Sequence, residues 1–330
     1  MGLKGKAQIT LNDASWQVVK LDTFDSLNTS DWNTGYTWTS GLGIEYTDPA
    51  NVIFQSGWLK LKCEKLTTPY YIGGFPYYYK SAALQSKFTH KYGYFEVEAK
   101  FPVGLGYWPA FWTLGGATSA SCTTPPNDGV YNEIDITETL GYPSSLGTQT
   151  GQVVHWRNFS TCAREYWGVD VPVSGGINTS HKYAAFWEPS KVSFYIDDVL
   201  VNTFSDPVYT PHNLCGTLLD LAIEGGTNAP NSSTTFPAYA EFNYIKISQL
   251  TPDCSTAASF CSTAFNAGTY DYKVKQSITI GGSGCASPST INTSSNVVLW
   301  ATDFILLDEG TTINDNSSGS FTMNITECPN

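Results

Sequence analysis

The chain is built from short runs in which apolar and polar residues alternate, each closed by Gly, Pro, Asn or Asp, while helical spacing of apolar residues is almost absent. Between Tyr92 and Pro102, Phe95, Val97, Ala99 and Phe101 point one way, and Tyr94, Glu96, Glu98 and Lys100 the other. The stretch from Lys191 to Leu200 reads as a hairpin turning at Asp197-Asp198, with Val192, Phe194 and Ile196 inward. A further strand closes the region over Glu241–Leu250. Many such runs over roughly 240 residues bury their apolar halves only if one sheet packs on another, which predicts an all-β sandwich of two antiparallel sheets, a jelly roll.

Beyond Thr251-Pro252-Asp253 the texture changes. Ser, Thr, Asn and Gly dominate, Trp300 is the only tryptophan, and Cys254, Cys261, Cys285 and Cys328 crowd together. Residues 251–330 are expected to form a small Cys-containing β module, and 1–250 the main domain. No internal repeat stands out. The runs SITIGG, NVVLWA, FILLDE and FTMNITEC each read as a short strand.

Charged residues make up 14% of the 330 and so do aromatic ones, at a formal net charge of −12. Such a neutral, aromatic surface suits a partner rich in hydroxyls. A deficit of Lys and Arg argues against nucleic acid. No apolar run reaches the 18 or so residues needed to span a membrane. Met1 to Leu11 lacks the apolar core of a signal peptide and reads as an addition ahead of a mature exported protein. The eight cysteines form no CxxC pair or His/Cys cluster, so zinc is not expected, and Cys63 reads as a buried free thiol. A secreted, cell-surface or periplasmic location follows from the C-terminal cysteines, with a monomer as the default.

The chemistry concentrates in Asn132-Glu133-Ile134-Asp135-Ile136-Thr137-Glu138. On a regular strand Glu133 and Asp135 share a face and Glu138 falls opposite; one extra residue around Ile136–Thr137, a β-bulge, brings all three acids to one face. Two close carboxyls are what retaining glycoside hydrolysis needs, one to attack the anomeric carbon and one to protonate the leaving oxygen. A solvent-facing acidic edge or a calcium loop are the alternatives, although EF-hand spacing is missing. Upstream, Trp108 and Trp112 are four apart, so they can share a strand face and offer indole platforms to a sugar's apolar side; core packing is the other reading. His155 and Trp156 lie on the next strand as further candidate substrate contacts, His155 as a natural partner for a carboxyl network.

The E-x-D-x-x-E segment resembles the bulged motif of glycoside hydrolase family 16, the laminarinase, agarase and carrageenase group. Lys91–Gly116 upstream, Val153–Trp156 downstream, His181–Val201 and Phe242–Ile247 fall in that family's order, so the resemblance covers roughly residues 15–250. It implies a jelly roll with an open concave cleft and retaining endo-hydrolysis, with Glu133 as nucleophile, Asp135 as assisting acid and Glu138 as general acid/base. The expected substrate is a β-1,3- or mixed-linked glucan. The alternatives are a galactan of the agar, carrageenan or keratan type, a non-catalytic glycan-binding protein on the same fold, or a transglycosylase.

Departures from the pattern bear on the substrate. Glu45-Tyr46 stand without the usual Asn pair, and Tyr94 and Glu98 occupy a strand where arginines are usual. The loops before and after the acidic strand carry Cys122 and Cys162, which can bridge the two rims. Tyr166 and Trp167 either contact sugar or pin their loop. No cofactor is required. A structural calcium is possible, but Asn243 stands where family members use an Asp, and an amide is the weaker ligand.

Overall fold

In the computed structural model, which describes residues 16–115, 132–139, 147–158, 161–188, 191–206, 209–250, 253–265, 268–271, 275–292, 295–314 and 320–325, the alternating runs form two stacked sheets. One orders its strands Arg164–Pro172, Gln149–Arg157, Asn132–Glu138, Tyr107–Gly115, Cys215–Ile223, Ala83–His90 and Trp32–Thr34. The other runs Val199–Ser205, Lys191–Ile196, His181–Glu188, Gly93–Lys100, Ala238–Leu250 and Trp58–Ile72, then continues through Phe75–Ser81 to Glu45–Thr47. The expected jelly-roll sandwich is the observed fold. Nearly all its neighbours pair antiparallel; Glu45–Thr47 beside Phe75–Ser81 is a parallel pair.

Strand alternation puts Phe95, Val97 and Ala99 of one sheet against Phe111, Ile134, Leu219 and Leu221 of the other, all buried. Each large apolar side chain sealed there contributes roughly 2 kcal/mol. Cys63 is buried and unbridged in the same core, as its alternation with Leu59 and Leu61 predicts. The hairpin turns at Asp197 and Asp198, both at left-handed φ (50° and 64°), as a two-residue turn between twisted strands requires. Among the described residues no helix is long and apolar enough to cross a membrane.

The chain divides into two compact units, one holding Val18–Gln249 and the other Leu250 onward together with Trp16 and Gln17. In the C-terminal one every described strand pair is parallel. Asp253–Phe260, Lys275–Ile280 and the later half of Ser295–Leu307 stack on one face; Ala264–Phe265, Ser289–Ile291 and Thr311–Ile313 on a second; Gly268–Asp271, the earlier half of Ser295–Leu307 and Ser320–Ile325 on a third. These are three coils of a parallel β-helix. The two runs NVVLWA and FILLDE, expected as separate strands, are one strand that turns the corner between coils. Equivalent positions step unevenly, from Ala257 to Ser277 to Phe304 on one face and from Ala264 to Thr290 to Thr312 on another. That uneven step is why no repeat is visible in the sequence. A Cys261–Cys285 disulfide joins the first coil to the second.

Candidate active site

Ile134 and Ile136 enter the core from the acidic strand, which turns Glu133 and Asp135 to the outer face of the sheet. Asp135 pairs with Trp112 on one neighbour and Val153 on the other; Glu138 pairs with Ala110 and Gly151. Three steps along this strand therefore match two steps along each neighbour. The extra residue is the bulge, and it returns Glu138 to the face of Glu133 and Asp135. Gly151 leaves the room this needs, since a β carbon there would lie 3.3 Å from Glu138 Cγ and 3.5 Å from Asp170 Oδ1.

Glu133 accepts a hydrogen bond from Arg164 Nη2 at 3.0 Å and interacts side chain to side chain with Asp135. His155 Nε2 lies 3.3 Å from Asp135 Oδ2 and 3.9 Å from Glu133 Oε1. Trp108 Nε1 donates to Glu138 Oε2 at 2.8 Å. Burial drives all three carboxyls upward. Glu133 is pushed up to about 8, first by desolvation and then by Asp135's charge, with His155 and Arg164 pulling the other way. Asp135, the most deeply buried, is raised well above the carboxylate range by desolvation and by Glu138. Glu138 is raised by desolvation, eased by the Trp108 bond and reinforced by Asp170 and Glu224. Burial holds His155 below its ordinary value, hence neutral near pH 7. Three neighbouring acids in so little solvent cannot all ionise, so protons are shared among them at neutral pH. Asp135 is the natural holder, and once it is neutral the second cause of Glu133's elevation disappears.

Trp112 faces the same side, but it is only 6% exposed. Its Nε1 donates to buried Asp220 at 2.6 Å, and Trp38 stands edge-on against it, ring centroids 6.4 Å apart. Trp156 does not reach this face. Alternation after His155 sends it to the core, where it stacks on Phe204 and Tyr209 at 5.5 and 5.3 Å and donates to Glu165. The expectation of a sugar contact there is corrected by strand parity alone. Parity also separates the next pair: Tyr166 is exposed beside His155, whereas Trp167 stacks on Phe194. His181 is held by Asp197 and Thr179, a packing role.

Sequence reading missed Arg164, Trp38 and Asp220. Arg164 lies directly opposite Arg157, two positions before Tyr166, so the register that brings it to Glu133 was legible only after strand pairing. Trp38 and Asp220 lie 74 and 108 residues from their contact Trp112, with no local signal. Cys162 is disulfide-bonded; its expected partner Cys122 and the loop around it lie outside the described residues. At the possible calcium position, Asn243 commits its Nδ2 to Glu98 at 2.8 Å. Glu133, Asp135 and His155 offer ligand atoms within 4.8 Å of one another, so a divalent cation would compete with the proton-sharing network rather than assist it.

A two-sheet jelly roll with a bulged acidic strand and indoles on its outer face defines a class of carbohydrate-active proteins. The chain belongs to the glycosyl hydrolases family 16, whose sequence profile it matches over residues 42–233. It is 27% identical over 186 residues to a beta-glucanase of Rhodothermus marinus, covering 51% of this chain and 62% of the relative. It is 29% identical over 140 residues to a keratan-sulfate endo-1,4-beta-galactosidase of Sphingobacterium multivorum, covering 41% and 30%. The catalytic domain of an endo-1,3-beta-glucanase (laminarinase) from Thermotoga petrophila superposes with a TM-score of 0.59 at 25% identity, covering 72% of this chain and 98% of that domain. The matches span between about a third and just under two thirds of the curated relatives' own length.

Proposed function

We propose that the protein is a retaining endo-β-glycosidase whose substrate is a β-1,3- or mixed-linked glucan. The observation that carries this reading is the bulge, because it sets Glu133, Asp135 and Glu138 on one outer face. Glu133 attacks the anomeric carbon, its ionised form favoured by the Arg164 hydrogen bond and by a proton held on Asp135. Glu138, whose pKa burial raises, delivers its proton to the leaving glycosidic oxygen, its carboxyl oriented by Trp108. In the second half-reaction the Glu138 carboxylate takes a proton from water, which releases the sugar from Glu133 with the original anomeric configuration. Glucan is favoured over a sulfated galactan by Asp170 and Glu224, whose charges already reach Glu138 and would repel a sulfate. The disulfides support an exported protein.

Reducing-sugar release from laminarin, barley β-glucan, agarose and κ-carrageenan tests the substrate. Proton NMR of the first products tests the mechanism: the β-anomer should appear before mutarotation. An α-anomer first, or no release from any of the four, would overturn this reading.

A further inference from the structure

The strands Trp58–Ile72 and Phe75–Ser81 form a long hairpin turned by Gly73-Gly74, both at positive φ with open space around them. From Leu66 to Tyr79 it carries no charged residue and six aromatic ones. Tyr70, Tyr71, Phe75 and Tyr78 are 52%, 61%, 72% and 52% exposed. At its base Lys80 bridges Glu64 and Asp48, and Lys62 joins Glu64. By register the exposed rings flank both faces of the hairpin, Tyr70 and Phe75 on the face of Tyr77, Tyr71 and Tyr78 on the opposite one, and so many exposed rings on one arm mark an interaction surface. Rings that mostly carry hydroxyls, with Leu66 and Ile72 the only open-chain aliphatic residues and no charge between 66 and 79, suit an uncharged polyhydroxylated chain, which takes a ring face against its apolar side and a hydroxyl at its edge.

This arm belongs to the second sheet, yet its base is tied to the cleft sheet through Tyr46 and Glu45. Tyr46 stacks on Tyr70 at 4.7 Å and meets Tyr77 edge-on at 5.9 Å. Its neighbour Glu45 is clamped by the backbone N–H of Ile223 at 2.7 Å, at the end of a cleft strand, and by that of Leu42, which packs beside Trp112. We propose that the aromatic arm is a second glycan-holding surface, which grips the neutral polysaccharide away from the cleavage point. This rests on the glucan reading for the identity of the chain held. Such a surface raises the effective concentration of polymer at the cleft and does nothing for a ligand too short to bridge both.

The test is a Tyr71→Ser/Phe75→Ser/Tyr78→Ser variant of the full chain. Retention is read by affinity electrophoresis in laminarin, barley β-glucan or agarose and by sedimentation with insoluble β-1,3-glucan. Polymer affinity should fall at least about fivefold and KM on polymer rise in step, while kcat on a short gluco-oligosaccharide stays within about twofold. Should the triple variant fail to match the parent's circular dichroism, Phe75→Ser at the tip is read alone. The proposal is overturned if retention is unchanged, if the parent binds none of these glycans, or if the substitutions only convert a dimer to a monomer in sedimentation velocity. A parent that releases no sugar yet shows arm-dependent retention sinks the hydrolase reading and leaves the arm. A parent that cleaves with arm-independent retention does the reverse.

Discussion

The interior of the C-terminal coils is made of Phe265, Ile278, Ile280, Ile291, Val297, Leu299 and Ala301, with Ser289 the buried polar side chain among the described residues. Ser289 is satisfied, accepting from Thr263 N and donating to Phe260 O. The sandwich, by contrast, holds Glu45, Glu96, Asp135, Glu188 and Asp220 almost out of solvent. Taking carboxyls from water costs free energy; Glu96 recovers part of it through Lys246 and Tyr244, and burial raises the pKa of the other four. Burial pushes Asp220 and Glu133 up to about 8 and Glu188 to about 7. The described interior of the coils thus incurs no such cost, while the sandwich gives up stability to hold acids out of water, three of them beside one another on the acidic strand.

The sharpest break between the two would come from Glu133→Gln. Hydrolysis of laminarin should drop by at least about a thousandfold, since an amide cannot attack the anomeric carbon. Retention on the polymer should persist. Stability should respond in the opposite sense: an acid whose folded pKa is raised stabilises below its unfolded pKa and loses that contribution as pH rises through the folded value. The variant should therefore melt no lower than the parent at pH 8. Near-parental turnover would mean that the acids' burial has another cause.

Next in size is the Cys261→Ser/Cys285→Ser variant. The bridge closes a loop of 24 residues' separation. By loop-closure entropy its loss costs the coils about 3 kcal/mol. Calorimetry should show a melting transition that moves down while sugar release from laminarin stays at the parent's level. Loss of activity would show that the two units are not energetically separate.

Asp220→Asn probes the buried acids without touching the proposed reacting groups. Asp220 is fully buried, receives Trp112 Nε1 and Tyr36, and leaves its Oδ1 without a hydrogen-bond partner. Its raised pKa means that stability is lost as pH climbs from about 4, the unfolded value, toward 8. A neutral amide escapes that loss. Denaturant melts should show the variant more stable by about 2 kcal/mol at pH 8 and indistinguishable at pH 4. A variant equally affected at both pH values would contradict a charge-based penalty.

The same contrast explains what could be read from the sequence. In the sandwich, pairing is mostly antiparallel between alternating runs, and the acidic motif with its bulge is a local signal spanning seven residues. Glu133, Asp135 and Glu138 could therefore be assigned to one face from the count of residues alone. Trp156 and Trp167 could not, because each needs the parity of a strand whose phase is set by its neighbours. In the coils, every described strand pairing joins positions 20 to 27 residues apart, at steps that vary from pair to pair, so no short window carries the pattern. The β character was legible there and the parallel stacking was not.

The smallest effect concerns Arg164, which the chain supplies from an exposed position to a buried acid. Its guanidinium lowers the pKa of Glu133, opposing desolvation. Arg164→Gln removes that cation, so Glu133 should ionise at higher pH. In the proposed mechanism Glu133 must be ionised to attack, and its titration forms the acid limb of kcat/KM. That limb should move to higher pH, by no more than about one unit because Arg164's side chain is 51% exposed and solvent screens it. The alkaline limb, set by loss of the proton on Glu138, should stay where it is. The melting temperature near neutral pH should change little, as for other exposed ion pairs. A shift of the acid limb downward, or an equal shift of both limbs, would show that the arginine acts on something other than Glu133, and would return that carboxyl to the same standing as the sandwich's other buried acids.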